Sequence, residues 1–266
     1  MLTRVSFAER FSARAVFGMV HLGPLPGSPL FVSLDEVVEG AVSDARAIER
    51  GGCDGLAIEN FGDRPFTRGR VEGETIAAMT RVIAEIRREV HLPFGVNVLR
   101  NDALSALAIA AATGGAFIRI NVHTGAMVTD QGIIEGDAYA TLRKRAAIAP
   151  EVLIFADHLV KHAAPLGAVD PLQAAKDLRL RGLADALIVT GSETGTPADP
   201  ARLRMLRAAI DAPLIAGSGL SADNAAQFAD ADGAIVGTAI KREGRVGEPV
   251  DPARVEAVVR AFKRAG

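Results

Sequence analysis

Histidine, carboxylate, arginine and asparagine residues recur at one kind of place in this chain, the end of a short apolar run. His21 closes the run 15–21, Glu59 and Asn60 close 55–59, Asn97 lies late in 94–99, and Asp157 closes 152–157. Arg119, Asn121 and His123 alternate with apolar neighbours through 116–123, so in extended backbone they share one face. Carboxylates beside histidines that titrate near neutrality are the equipment of general acid/base catalysis. Glu59 or Asp157 would serve as base, and His21, His123 or His162 as acid or oxyanion partner. Asn60, Asn97, Arg119, Asn121 and Thr190 offer donors and acceptors suited to substrate hydroxyls. An arginine in such a ring needs a counter-charge, for which Glu59 and Asp157 are the candidates. The bland alternative for Arg119 is an ion pair that only fills space.

A second constellation sits near the C-terminus. Ala216-Gly217-Ser218-Gly219-Leu220 and Asp232-Gly233-Ala234-Ile235-Val236-Gly237-Thr238 are apolar runs that end in glycine and small hydroxyl residues. Backbone N–H groups approach an anion where no side chain intervenes, so Gly217, Ser218, Gly219, Gly237 and Thr238 are candidate phosphate ligands.

Lys161 allows three readings: an imine-forming amine, a phosphate or carboxylate contact, or a solvated loop lysine. Its neighbours Asp157 and His162 favour a functional one. Lys241 would reach an anion or lie in solvent. His158, His162 and Asp157 would suit a divalent metal, but no His-x-His or His-Glu-x-x-His pattern accompanies them, so no metal or other cofactor is assigned.

The elements that must position these groups follow from periodicity. Aliphatic runs at 15–21, 55–59, 94–99, 116–122, 152–157, 186–190, 214–217 and 234–237 alternate with segments of helical period. Those segments are 34–50, 73–89, 102–113, 137–148, 171–182, 199–209, 221–229 and 251–264. Ser33, Asp102, Asp170-Pro171, Asp199-Pro200, Ser221 and Asp251-Pro252 give start signals. Eight strand–helix units in 266 residues predict an α/β fold, a single (β/α)8 TIM barrel over 1–266 with 1–14 as an N-terminal extension. A doubly wound open sheet shares the local signature. In a barrel, catalytic groups gather at the C-terminal ends of the strands, and phosphate is commonly held after strands seven and eight. The polar ends and glycine motifs fall there, whereas His91 falls on the opposite face. Three loops gather on this face: 21–29, too rich in glycine and proline to be regular, which would make a wall or lid; the long glycine-containing loop 124–136 with Asp130 and Gln131; and 190–197, which would offer hydroxyls and backbone N–H groups to a ligand.

Composition narrows the partners. Net charge is −2 and 49% of residues are hydrophobic, so no basic excess points to nucleic acid. The single cysteine, Cys53, excludes an internal disulfide and fits a reducing cytoplasm. No stretch is long and apolar enough to predict an integral membrane segment. A homo-oligomer is the ordinary expectation for such enzymes.

Several motifs carry a family resemblance. They are 18–29 (Gly18-Met19-Val20-His21-Leu22-Gly23-Pro24-Leu25-Pro26-Gly27-Ser28-Pro29), Glu59-Asn60-Phe61-Gly62-Asp63, and 95–102 from Gly95 to Asp102. Asn121-Val122-His123-Thr124-Gly125-Ala126, 160–166 from Val160 to Leu166, and the two glycine motifs complete the set. Over nearly its whole length the chain resembles the BtpA/SgcQ family. The resemblance implies a barrel of the ribulose-phosphate-binding type, and links to photosystem I biogenesis or to sugar utilisation. Two expectations follow. One is a lyase or isomerase acting on a small phosphorylated sugar or ribosyl compound. The other is a non-catalytic assembly or regulatory factor that binds a protein partner.

Overall fold

The computed structural model describes residues 1–265. Among them eleven strands form: β1 (Ala15–His21), β2 (Gly55–Glu59), β3 (Phe94–Asn97), β4 (Phe117–Ile120), β5 (Ala126–Thr129), β6 (Gly132–Glu135), β7 (Leu153–His158), β8 (Ala163–Pro165), β9 (Ala186–Val189), β10 (Leu214–Ala216) and β11 (Gly233–Val236). β1, β2, β3, β4, β7, β9, β10 and β11 pair in parallel in that order, and β11 pairs back with β1 to close a barrel. These are the eight strands expected from the sequence, with ends shifted by at most about two residues, the ordinary uncertainty of boundaries. The open doubly wound sheet is thereby excluded.

The α-helices are α1 (Arg4–Phe11), α2 (Leu34–Arg50), α3 (Gly73–Glu89), α4 (Ala103–Thr113), α5 (Ala138–Ile148), α6 (Pro171–Lys176), α7 (Pro200–Ala209) and α8 (Pro252–Arg264). All of these starts but that of α3 carry a side-chain cap. Ser33, Asp102, Asp137, Asp170, Asp199 and Asp251 each accept a hydrogen bond from a first-turn N–H, which that turn cannot satisfy internally. Two expected helices differ. Segment 171–182 continues past α6 as a π-helical stretch, Asp177–Arg181. Segment 221–229 yields only the 3-10 turn Ala225–Phe228. There the Asn224 side chain bonds the Gly219 carbonyl and the Ser221 N–H, a local closure that competes with helix formation.

Two-residue alternation divides the strands into two cores. Val16, Val20, Leu56, Ile58, Val96, Ile118, Ile154, Leu187 and Val189 face outward and pack with the helices. Phe17, Met19, Ala57, Phe117, Phe155, Ile188, Ile215 and Ile235 face inward and fill the lower barrel. Phe117 and Phe155 stack with ring centroids 4.3 Å apart. The inward-facing Gly95 leaves the room that the Phe117 ring occupies. Residues 1–14, expected as an N-terminal extension, supply the barrel's floor. Thr3 caps α1, and Phe7 and Phe11, one turn apart, enter the phenylalanine cluster from below. Phe11 meets Phe17 edge-on at 5.2 Å.

Segment 124–136, expected to be a long glycine-containing loop, carries a β-hairpin. β5 and β6 pair antiparallel around Asp130 and Gln131, and β8 joins β5 on its other edge. Met127, Ile134 and Val160 bury against Val122 beneath this small sheet. No helix among the described residues is long and apolar enough to cross a membrane.

Candidate active site at the barrel mouth

The alternation that places phenylalanines low in the barrel places polar side chains in its last inward layer. His21 stands beside Glu59, and Glu59 beside Asn97, as direct register partners. From β4, Arg119 reaches across to Asp157 of β7. Its Nε and Nη2 donate to the two carboxylate oxygens at 3.1–3.2 Å. Asn121 Nδ2 donates to Asp157 Oδ2 at 2.7 Å, and Asn97 Nδ2 donates to Asn121 Oδ1 at 3.2 Å. The Asp157 side chain is completely buried beneath these donors. Burial opposes the charge on Arg119, but Asp157 and Glu59 outweigh it and raise the guanidinium pKa. Within this half only Asn97 Oδ1 and Arg119 Nη1 are left without a hydrogen bond among the described residues.

The other half is open. Glu59 Oε2 lies 3.9 Å from Arg119 Nη1, and Oε1 lies 3.9 Å from His21 Nε2. Both gaps exceed hydrogen-bond reach, so this nearly buried carboxylate keeps its lone pairs free among the described residues. His21 packs against Phe61 with centroids 4.7 Å apart. Burial, reinforced by Lys241, Lys161 and Arg119, holds its pKa well below the usual value of 6.5. His21 is therefore a neutral imidazole at neutral pH, able to donate or accept one proton.

A cavity of about 380 Å3 opens above, lined by Glu59, Phe61, Arg100, Arg119, Asn121, Lys161, His162 and Thr194 among others. That volume suits a small ligand. Lys161 Nζ donates to Thr194 Oγ1 at 3.2 Å, and burial next to Arg119 lowers its pKa to about 8. His162 Nε2 accepts from Thr194 N at 3.1 Å and lies 3.0 Å from Thr194 Oγ1. It fastens segment 191–197 over the mouth. Burial, with Lys161 and Arg100, lowers its pKa and keeps that ring neutral.

Other expected site residues lie outside the cavity. β4 ends at Ile120, so the alternation that would have turned His123 inward stops short of it. His123 Nε2 instead meets the Gly182 carbonyl at 2.8 Å, with Asp137, Arg145 and Asp185 around it. Asn60 ties loops together by accepting from Leu99 N and donating to Asp63. Thr190 accepts from Lys161 N and so positions that lysine. His158 Nε2 meets the Pro171 carbonyl, away from Asp157 and His162. Among the described residues no three His, Cys, Asp or Glu side chains gather as a metal would need.

The glycine motifs are tightly engaged. Ser218 Oγ accepts from Gly191 N and donates to the Thr196 carbonyl. Gly219, at φ +68°, lies so close to Pro197 that no side chain would fit. Gly217 makes room for Ile188 and Thr190, and Gly237 for the His21 ring. The N–H groups of Ser218, Gly219 and Thr238 find no acceptor among the described residues. Lys241 is neither solvated nor free. It is buried in an ion pair with Asp44 beside a second cavity of about 520 Å3, which His21 also lines.

Sequence reasoning passed over Arg100 and Thr194 as site residues. Arg100 follows a strand that already ends in Asn97, and only its position in the loop after β3 signalled the mouth. Thr194 lies in a hydroxyl-rich loop without a mark of its own.

The family model described as the BtpA family matches residues 12–264. The photosystem I biogenesis protein BtpA of Synechocystis sp. is 46% identical over 93% of this chain and 87% of its own length. A protein of Archaeoglobus fulgidus is 44% identical over 94% of this chain and 99% of its own. Among solved structures, (S)-3-O-geranylgeranylglyceryl phosphate synthase from Thermoplasma acidophilum, in complex with sn-glycerol-1-phosphate, superposes with a TM-score of 0.63 at 16% identity. It covers 99% of this chain and 100% of its own. That likeness is one of fold.

Proposed function

The chain belongs to the BtpA family, and on the geometry of its barrel mouth we propose that it is an acid/base enzyme acting on a small phosphorylated sugar or ribosyl compound. One observation carries the reading: Glu59 offers an unengaged carboxylate to a cavity, midway between a neutral histidine and a fixed guanidinium. A carboxylate without a hydrogen bond is poised to take a proton from carbon or from a hydroxyl. His21, neutral and beside it, returns a proton to the departing or developing oxygen. Arg119, locked by Asp157, stabilises negative charge on that oxygen without moving. These roles fit isomerase or lyase chemistry, in which a proton leaves a carbon next to a carbonyl.

Asp157 positions Arg119 and Asn121 and is not the base, because both its oxygens already accept hydrogen bonds. The backbone N–H groups of Ser218, Gly219 and Thr238 seat the phosphate. The solved neighbour that holds sn-glycerol-1-phosphate supports such a ligand on this fold.

The name of the Synechocystis relative favours a second reading, an assembly factor that binds a protein partner. A thermal-shift screen separates the two. Stabilisation by one sugar phosphate or ribosyl phosphate, by about 2.7 kcal/mol at a hundredfold excess over Kd, is the expected result for the enzyme. No shift with any phosphorylated compound, together with capture of a defined protein partner, would establish the assembly role instead.

A further inference from the structure

Two cations at the mouth lack a counter-charge. Arg119 has Asp157 at 3.1 Å, and Lys241 has Asp44. Arg100 and Lys161 pair with no carboxylate among the described residues. Both line the same cavity, and Arg100 is only 6% exposed. One donor of Arg100, Nη2, bonds the Lys161 carbonyl at 2.8 Å, which fixes the two residues together. Among the described residues the Lys161 ammonium has only the Thr194 hydroxyl as a hydrogen-bond partner. Most of the five N–H donors of the guanidinium and the three of the ammonium therefore remain for a ligand.

Holding two positive groups in a partly desolvated cleft beside a third is costly unless an anion joins them. Burial, with Arg119 beside it, lowers the pKa of Lys161 to about 8, and burial depresses that of Arg100 although Asp157 and Glu59 oppose the shift. The carboxylates near this cavity offset that cost only in part, and none of them pairs directly with either cation among the described residues. Glu59 is turned towards His21 and Arg119, and Asp130 stands in the β5–β6 turn.

We propose that Arg100 and Lys161 form an anion seat of their own, separate from the glycine loops. Arg100 follows β3, four strands from β10 in the closed ring, and Lys161 follows β7, two strands from β10. Given the phosphorylated ligand proposed above, on which this step rests, the substrate carries two anionic groups. One is a phosphate at Ser218, Gly219 and Thr238, and the other is a carboxylate or second phosphate at Arg100 and Lys161. The reacting carbon then lies between them, over Glu59.

Crystals grown with tungstate, a heavy tetrahedral dianion, test the two seats separately by anomalous scattering. The expected result is one peak between the Arg100 guanidinium and the Lys161 ammonium and another at the glycine loops. In solution, Lys161→Met is expected to weaken tungstate binding at the first seat by about tenfold or more, the worth of one charge-assisted hydrogen bond. The ligand-free variant should melt no lower than the parent, since it loses an unpaired cation, which separates lost binding from lost folding. A peak at the glycine loops with none at Arg100 and Lys161 would overturn this seat and leave the proposed phosphate seat standing. A peak at Arg100 and Lys161 alone would sustain this seat and remove the other. No peak at either would overturn both.

Discussion

On the β4–β7 side of the mouth, Arg119, Asp157, Asn121 and Asn97 answer one another's hydrogen-bonding groups almost completely and exclude solvent. On the β1–β2 side, His21 and Glu59 are nearly as buried yet stand 3.9 Å apart without a hydrogen bond. Both regions place polar and charged side chains, one carboxylate in each, at equivalent strand ends. The difference separates support from chemistry: a satisfied buried network fixes geometry, whereas an unsatisfied pair beside a cavity waits for a ligand to complete it.

Breaking the closed side should have the largest effect on folding. Asp157→Asn leaves Arg119 charged and buried without its partner, and the expected loss is about 3–5 kcal/mol in chemical denaturation. Glu59 has no bond to lose, so Glu59→Gln should shift the same transition by less than about 1 kcal/mol. A comparable loss in both variants would erase the distinction between the two sides.

Acid should act on the open side. The folded-state pKa of His21 is depressed, so the unfolded chain binds its proton more readily. The stability that this imposes is full above pH 6.5 and falls as the pH drops below it. His21→Gln should flatten that decline. His158, lowered to about 4 by burial, has the same sign and continues the decline towards pH 4 in parent and variant alike. Lys161, depressed to about 8, should make stability rise between about pH 8 and the ordinary lysine value of 10.5. Lys161→Met should abolish that rise in a pH series of melting temperatures.

The smallest expected effect sharpens the contrast at its rim. Thr194→Val removes the hydroxyl that joins Lys161 and His162 to segment 191–197. The expected cost is about 1 kcal/mol or less of global stability, with faster amide exchange confined to that segment.

Much of this arrangement was legible in the sequence, for identifiable reasons. Period-two alternation in Phe17-Gly18-Met19-Val20-His21 already separates an inward from an outward face, and polar groups at the ends of such runs mark the mouth. Pro after Asp at 170–171, 199–200 and 251–252 marked three helix starts. What stayed hidden depends on distance. Nothing in the order of residues tells that Arg119 will choose Asp157 over Glu59, and that choice separates the positioning carboxylate from the free one. His123 misled because a strand's alternation lasts only as long as the strand. Phe7 and Phe11 showed helical spacing, but the short charged segment around them gave no sign that it would close the barrel floor. The glycines mark the loops after β10 and β11. Gly217, Gly219 and Gly237 make room first for protein neighbours, so their anion-binding potential rests on backbone N–H groups, which sequence does not display.

The central claim is that Glu59 moves the proton while Asp157 holds the arginine. Its most direct test is the turnover of Glu59→Gln on the phosphorylated compound that stabilises the parent most, with the melting temperature taken on the same sample. The account predicts a fall of about 10²–10⁴-fold in kcat with an almost unchanged melting temperature. Parental turnover in that variant would contradict it.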